Sequence, residues 1–356
     1  MKRNLLLACV FVLLALSLAG IGRACTTFCI PYEGKCVFGK NLDWMVEDGL
    51  VVVNKSDVSK VSLDAENPFS WTSKYGSVTF NMYGCGMPMG GINEAGLVIE
   101  NMWLAGTVYP TPDSRAELST LEWVQYQLDT AATVDEVIAS DSEIRIGSQN
   151  AAPLHFLICD GKGDCAAIEY LDGKMVCHTK DKMPVTALTN DTYDESLGFL
   201  AGYAGEDTSE ASRAMGNSLG RFVIAAERLK EYDLKESAAP VDYAFATLDS
   251  VSNDGTQWSI VYDPKNRRVH FRTRSNREIR RIDLDAFDYS CNSPVKVLDM
   301  LGGKTGDVSK AFVDYSYELN NGLIQASYSK TGFLKDIPQE TLQFLARHPE
   351  SMQCVK

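Results

Sequence analysis

Histidine is scarce in this chain of 356 residues. There are four histidines, at positions 155, 178, 270 and 348, and no two of them are close in the sequence. The chain also has no HExxH motif and no CxxC pair, which are the patterns typical of zinc sites. We therefore expect no metal ion and no organic cofactor.

Basic residues are fewer than acidic residues in this chain. The chain has 34 Lys and Arg against 47 Asp and Glu, which gives a formal net charge of −13 at pH 7. An acidic surface repels nucleic acid and anionic membranes, and so neither is expected as a partner. Small molecules or uncharged partners fit this charge better.

Long apolar runs are missing except at the very start. Lys2 and Arg3 precede an apolar run from Leu5 to about Ile21, and small residues then lead to Cys25. This order is that of a secretory signal, and the run is short for a membrane-spanning helix, which needs about 20 residues.

We therefore predict that residues 1–24 are a signal peptide and that residues 25–356 form a single domain. The leader carries three basic residues and no acidic one, so its removal would take the net charge from −13 to −16. The mature protein would be periplasmic or extracellular, with no stable membrane insertion after signal removal.

Cysteine is the next informative residue. Ten cysteines are present, and nine remain without Cys9 of the leader. In an oxidising compartment an odd number leaves at least one cysteine unpaired. Cys159 and Cys165 bracket the turn sequence DGKGD and could lie near each other across a hairpin. The sequence leaves the disulfide pairing open.

The hydrophobic pattern predicts strands interrupted by blocks of helix. The chain after Cys25 reads as a hairpin around Glu33-Gly34-Lys35, and residues 154–179 read as three strands joined by two Asp-Gly turns. Ser119, with Glu122 three residues later, is a capping box that starts a helical pattern over residues 119–140. Such blocks favour an α+β architecture of antiparallel sheets covered by helices.

Cys25 can be more than a half-cystine. As a mature N-terminus it would carry an α-amine with a pKa of about 8 beside a thiol with a pKa of about 8.5. One residue would then supply both the nucleophile and its base. The alternatives are a disulfide at a frayed terminus and a lipidated cysteine, although Gly22 and Arg23 make a poor lipidation motif.

Several motifs resemble the choloylglycine hydrolase and penicillin V acylase family, in its secreted Gram-negative form. The matching segments follow the family's order along nearly the whole chain after Ala24: CTTF, FGKNLDW, GINEAGL, LTNDTYD, SLGRFVIAA and TQWSIVYDPKNRRVHFRT. The resemblance implies the four-layer αββα sandwich of N-terminal-nucleophile hydrolases.

The resemblance also implies roles for four residues. Cys25 matches the nucleophile, and Asp43 matches the acid that holds the α-amine over the sulfur. Asn190 matches the amide that donates to the oxyanion of the tetrahedral intermediate, a kind of donor worth about 3 kcal/mol elsewhere. Arg221 matches a buried arginine that orders the site.

Two positions depart from the family pattern. The family's arginine beside the sulfur is Lys40 here, which keeps the charge but loses the planar fork of donors. The family's second oxyanion donor is often an asparagine at the position of Trp103. Asn101, two residues earlier on the same strand face, is the candidate replacement, and a backbone N–H is the alternative.

The resemblance implies an enzyme that hydrolyses linear, non-peptide amide bonds of a small acyl amide substrate. Trp44 and Trp103 are predicted to line an apolar acyl pocket, although they could simply be core residues. That pocket favours penicillin V-like or acyl-homoserine lactone substrates over conjugated bile salts. A non-catalytic secreted or lipid-anchored binding protein, an acyltransferase, and a homo-oligomer all stay open.

Overall fold

The computed structural model describes residues 25–32, 34–64, 67–147, 151–203, 217–235 and 239–355. The predicted signal peptide lies outside these residues. The described α-helices are α1 (Thr120–Thr130), α2 (Val134–Ala139), α3 (Tyr193–Gly202), α4 (Ser218–Lys235), α5 (Pro240–Ser250), α6 (Tyr317–Lys330) and α7 (Gln339–Arg347). Short 3-10 helices are found at Ser140–Ser142, Lys180–Lys182, Leu284–Ala286, Ser309–Ala311 and His348–Ser351.

Two large sheets form the centre of the molecule. From edge to edge the first comprises β14 (Ala187–Leu188), β1 (Thr26–Tyr32), β2 (Lys35–Asp43), β15 (Thr256–Asp263), β16 (Arg268–Thr273), β17 (Arg280–Asp283) and β19 (Gly306–Asp307). The second comprises β13 (Lys174–Thr179), β12 (Cys165–Leu171), β11 (Leu154–Cys159), β8 (Val98–Trp103), β7 (Pro88–Asn93), β6 (Ser77–Asn81), β3 (Leu50–Asn54), β18 (Lys296–Asp299) and β20 (Val313–Asp314).

Two small sheets lie outside this pair. One joins β9 (Ala116–Leu118) to β10 (Ile144–Ile146) in parallel, and the other orders β21 (Gln353–Cys354), β4 (Val58–Val61) and β5 (Ser70–Thr72). Within the large sheets the neighbouring strands are antiparallel, apart from the parallel pair β17 and β19.

The two large sheets pack face to face. Phe80 of the second sheet lies against Tyr262 and Phe271 of the first, with ring centroids 6.1 and 5.6 Å apart. Helices α4 and α5 contact the outer face of the first sheet, and α1 contacts β7 of the second. The result is the predicted α+β, four-layer αββα sandwich, because each sheet buries one face against the other sheet and one face under helices.

Local sequence signals determine several of these elements. The β1–β2 hairpin turns at Gly34, whose φ of 72° is a conformation that glycine adopts without strain. Ser119 caps α1 in the predicted capping box with Glu122. The predicted continuous helix is wrong after Thr130, because Thr133 accepts the backbone N–H of Glu136 and starts α2 separately.

Three disulfides are formed by the described cysteines. They join Cys29 to Cys36, Cys159 to Cys165 and Cys291 to Cys354. The expected proximity of Cys159 and Cys165 is confirmed, because the two residues are paired directly across the β11–β12 hairpin. Cys25, Cys85 and Cys177 are free thiols.

The first two disulfides meet between the large sheets. The four sulfur atoms of Cys29, Cys36, Cys159 and Cys165 lie within 4.8 Å of one another. These sulfurs are bonded in pairs, and so they are not available as thiolate ligands for a metal.

Among the described residues, no helix has both the length and the apolar character needed to cross a bilayer. Export and localisation therefore stay predictions from the leader sequence.

Candidate active site

Cys25 lies directly before β1, which runs between β14 and β2 in the first sheet. Its side chain is buried, at 5% exposure, and its Sγ is 3.9 Å from the backbone oxygen of Asp43, within hydrogen-bonding range for a thiol. Cys25 and Thr27 occupy the same face of the chain, and Thr27 pairs with Lys40 of β2. The strand register therefore brings Lys40 to the thiol's side of the sheet.

The thiol of Cys25 is held in its neutral form by its surroundings. Burial raises the pKa of the thiol, and the negative charge of Asp43 raises it further. The positive charges of Lys40 and Arg221 and the hydrogen bond to the Asp43 backbone oxygen lower it. A neutral buried thiol needs a base to become a nucleophile. The α-amine that cleavage before Cys25 would release is such a base.

Lys40 is itself fully buried, at 1% exposure. Its ammonium donates to the backbone carbonyl of Asn101 and lies 3.7 Å from Oε2 of Glu100, both on β8 of the opposite sheet. Glu100 is not among the site residues that the sequence predicts. Its signal in the sequence is a single carboxylate inside an otherwise uncharged strand, VIENMW.

Asp43 is the last residue of β2, and its carboxylate is hydrogen-bonded to side chains at and just before the start of β15. Oδ1 accepts the hydroxyl of Thr256 at 2.6 Å and Oδ2 accepts the amide of Asn253 at 2.8 Å. Burial raises the pKa of Asp43, whereas these two hydrogen bonds and the charges of Arg221 and Lys40 lower it. Thr256 and Asn253 are not predicted from the sequence, although Thr256 begins one of the motifs that carry the resemblance.

Arg221 connects the nucleophile's strand to Asn190. From α4 its Nε donates to Thr26 Oγ1 at 3.1 Å and its NH2 donates to Asn190 Oδ1 at 3.0 Å. Asn190 Nδ2 in turn donates to the carbonyl of Trp103 at 2.8 Å. The orientation of the Asn190 amide is therefore set by an arginine on its oxygen, which leaves a second amide hydrogen on Nδ2 for a substrate oxygen.

A buried histidine cluster supports the segment before Asn190. His155 lies with Nε2 2.8 Å from the carbonyl of Thr189 and Nδ1 3.1 Å from Glu169, and His178 Nε2 lies 3.5 Å from the same carboxylate. Burial opposes ionisation of Glu169, but its contacts with His155 and His178 bring its pKa down to about 2. His155 and His178 are separate in the sequence yet adjacent in space.

The side chain of Asn101, the predicted second oxyanion donor, has a hydrogen-bond partner of its own in the structure. Its Nδ2 donates at 2.6 Å to the carbonyl of Met89, on the neighbouring strand β7. It shares a strand face with Ile99, which packs in the core under α1, and not with Met102, which packs between the sheets. The second oxyanion donor stays a prediction, with the Asn101 amide and a backbone N–H as the two alternatives.

Trp44 and Trp103 meet beside these groups. Their ring centroids are 6.1 Å apart, and Trp44 also lies 6.4 Å from Phe333, edge to face. Trp44 follows Asp43 directly, and the carbonyl of Trp103 holds Asn190. Both tryptophans are half-buried. The predicted pair thus forms an aromatic wall with Phe333, a residue the sequence does not single out.

The arrangement has the parts of a covalent acyl-transfer site. A buried thiol lies near two cations, with a hydrogen-bonded carboxylate at Asp43 and an oriented amide at Asn190. Such groups can stabilise a thiolate and the negative oxygen that develops when it attacks a carbonyl. The structure brings together Cys25, Lys40, Asp43, Asn190 and Arg221, whereas the Asn101 amide donates to the carbonyl of Met89.

Comparison with known proteins agrees with this chemistry. Residues 25–229, more than half of the chain, match the family described as linear amide C–N hydrolases, choloylglycine hydrolase family. Penicillin V acylase of Pectobacterium atrosepticum is 28% identical over 336 residues, which cover 81% of this chain and 89% of that protein.

Solved structures show the same fold. Penicillin V acylase from Agrobacterium tumefaciens superposes with a TM-score of 0.70 and 26% identity, over 82% of this chain and 98% of that chain. A mutant of the conjugated bile acid hydrolase from Clostridium perfringens gives a TM-score of 0.65 at 16% identity, over 79% and 98% of the two chains.

Proposed function

This chain belongs to the choloylglycine hydrolase family of linear amide C–N hydrolases, and on that premise we propose that it cleaves amides of compact apolar acyl groups with Cys25 as the nucleophile. We further propose that the protein is exported and that removal of residues 1–24 activates it. The exported enzyme would be periplasmic or extracellular.

The proposed reaction proceeds in two steps. The Cys25 thiolate, formed by proton transfer to its own α-amine, attacks the amide carbonyl while Asn190 and a backbone N–H stabilise the oxyanion. The C–N bond then breaks, and the leaving amine takes the proton from the α-ammonium. Water hydrolyses the resulting thioester and regenerates the thiol.

The observation that carries the choice of acyl group is the aromatic wall of Trp44, Trp103 and Phe333. It adjoins Asp43 and Asn190, so an acyl chain with its carbonyl at Cys25 would lie against it. An aromatic side chain offers about 200 Å² of contact, which suits a phenoxyacetyl or medium acyl chain better than a bulky steroid. The similarity to two penicillin V acylases supports the same choice.

The test compares three substrates on one mature preparation: penicillin V, a medium-chain acyl-homoserine lactone and glycocholate. We expect kcat/KM for at least one of the first two to exceed that for glycocholate by about ten-fold or more, because acyl contacts are worth about 1–3 kcal/mol. Trp103→Ala should lower kcat/KM for the preferred acyl substrate by removing such contacts. A clear preference for glycocholate would overturn the acyl-group proposal and leave the role of Cys25 intact.

Activation has its own test. A version that retains residues before Cys25 should fold with the same thermal stability but lose amidase activity, because its amine is locked in a peptide bond. Intact mass and N-terminal sequencing identify the start of each preparation. Full activity with a blocked N-terminus would contradict the proposed base.

A further inference from the structure

Glu100 is a buried carboxylate that the reaction described above does not use. It lies in the middle of β8 at 2% exposure, between Val98 and Met102 on the face that packs against the other sheet. An ionisable side chain between two sheets needs partners, because burial without them is costly.

The carboxyl group of Glu100 is held in place from three strands. Tyr262 of β15 donates its hydroxyl to Oε1 at 2.5 Å, and Lys40 of β2 lies 3.7 Å from Oε2. Gly90 of β7 is paired with Glu100, and a side-chain carbon there would overlap the carboxyl group. Glycine at position 90 therefore leaves space that the carboxyl group fills.

Lys40 is the link between Glu100 and the nucleophile. Its charge lowers the pKa of the Cys25 thiol, and the same charge lowers the pKa of Glu100. Two acids thus share one buried ammonium. If both were ionised, the cluster would carry an excess negative charge away from water, which is unfavourable.

We propose that Glu100 is a positioning residue for the reaction, which competes with the Cys25 thiolate for the ammonium of Lys40. When Glu100 is protonated, the whole charge of Lys40 is available to the sulfur. When Glu100 is ionised, it shares that charge, and the thiolate is less stable. The proposal rests on Cys25 as the nucleophile.

Glu100 changes its protonation state at a pH where alkylation of Cys25 can be measured. Burial raises the pKa of Glu100 to about 7, although Lys40 and the hydroxyl of Tyr262 act to lower it. Asp43 and Arg221 also act on the Cys25 thiol, and Tyr262 faces Glu100. These groups are unchanged in a Glu100→Gln variant, so the difference from wild type isolates the carboxylate.

The experiment measures alkylation of Cys25 by iodoacetamide against pH, in mature wild type and in Glu100→Gln. Mass spectrometry of the Cys25 peptide excludes signal from Cys85 and Cys177. The two profiles should coincide below about pH 6, where Glu100 is protonated. Near pH 7–8 Cys25 of the variant should react about three- to ten-fold faster than Cys25 of wild type. The two curves should merge again at a pH where Cys25 is ionised in both proteins.

Two further variants make the result specific. Tyr262→Phe removes the hydrogen bond that favours ionised Glu100, so its profile should lie between those of wild type and Glu100→Gln. Asp129→Asn neutralises another buried carboxylate that pairs with Lys60, and its profile should follow wild type. Thermal unfolding establishes that each variant is folded before it is compared.

Superimposed wild-type and Glu100→Gln profiles, or slower alkylation of the variant at every pH, would overturn the proposal. If Glu100→Gln does not fold, the alkylation profile of Tyr262→Phe tests the proposal instead. A Tyr262→Phe profile identical to that of wild type would overturn the proposal. Because alkylation needs no amide substrate, a wrong substrate assignment leaves this test unaffected. A thiol at position 25 that never reacts would instead refute the proposed nucleophile.

Discussion

Lys60–Asp129 and Lys40–Glu100 are both buried lysine–carboxylate pairs, but their surroundings differ. Lys60 and Asp129 connect β4 to α1, with 5% and 0% exposure, and Lys40 and Glu100 connect the two large sheets, with 1% and 2% exposure. Burial raises the carboxyl pKa in both pairs. Burial alone therefore does not distinguish them.

The difference lies in how fully each carboxylate is satisfied. Asp129 accepts Lys60 at 2.9 Å, and also the ring N–H of Trp71 and the amide of Gln125, both at 2.8 Å. Glu100 accepts one close hydrogen bond, from Tyr262. Lys40 lies further away, at 3.7 Å, and its charge also acts on Cys25. A saturated pair, in which the carboxylate is fully hydrogen-bonded, is costly to break, whereas an unsaturated pair leaves the lysine charge available to a neighbouring group.

The largest expected effect concerns Cys25, whose thiol is influenced by the charge of Lys40. Cys25→Ala should lower kcat/KM by about 10⁴-fold or more, because loss of a covalent nucleophile removes the whole pathway. Its free energy of unfolding should change little. Cys85→Ala is the matched control, a second buried free thiol whose replacement should leave activity per folded molecule intact. Residual amidase activity near wild type in Cys25→Ala would exclude covalent catalysis at this position.

The next effect belongs to the saturated pair. Lys60→Met should lower the free energy of unfolding by about 3–5 kcal/mol, because it strands a buried carboxylate. Urea denaturation measures this loss, and activity per folded molecule should stay within about two-fold of wild type. A selective loss of activity with unchanged stability would remove the contrast between the two pairs.

Glu100 should make stability depend on pH. Its pKa is raised from 4.5 to about 7 in the folded protein, so the folded state retains a proton that the unfolded chain releases. This contribution is present in full below pH 4.5 and is lost as the pH rises through about 7. Glu100→Gln should therefore gain stability relative to wild type, on the order of 3 kcal/mol between about pH 5 and pH 8. Urea denaturation at both pH values measures the gain, and a constant difference would contradict it.

Lys40 provides the smallest of the four effects. Lys40→Met should lower kcat/KM by about 10²-fold and raise the alkylation pKa of Cys25, because a fixed charge near the developing thiolate is lost. Lys40→Arg keeps the charge and should retain most of the activity. An unchanged alkylation profile in Lys40→Met would mean that the ammonium does not act on the sulfur.

Much of the fold could be predicted because its signals are local. The alternation in CTTFCI, the turn at Gly34 and the capping box at Ser119 act over a few residues. The break after Thr130 is not predicted because a helical apolar pattern continues through it, and only the cap at Thr133 separates the two helices.

The site was only partly predictable for a physical reason. Motifs identify residues that lie close in sequence, such as Lys40 and Asp43, but the partners of those residues come from the opposite sheet or from distant strands. Glu100 and Thr256 become neighbours of the site only through sheet packing and strand register. The hydrogen bond from the Asn101 amide to the carbonyl of Met89 likewise depends on strand pairing, which a motif does not reveal.

The two disulfides between the sheets have a consequence for how the two layers are joined. Each joins cysteines only seven or six positions apart within one hairpin, yet the four sulfurs end within 4.8 Å of one another. Four thiols that close could pair in about three ways, and the other two of those ways would link the sheets. A bridge across such a short loop restricts the unfolded chain less than a bridge across a long one would. With the pairing observed, neither of these two bridges links the sheets, so at this place the two layers are held together by packing and not by a covalent bond.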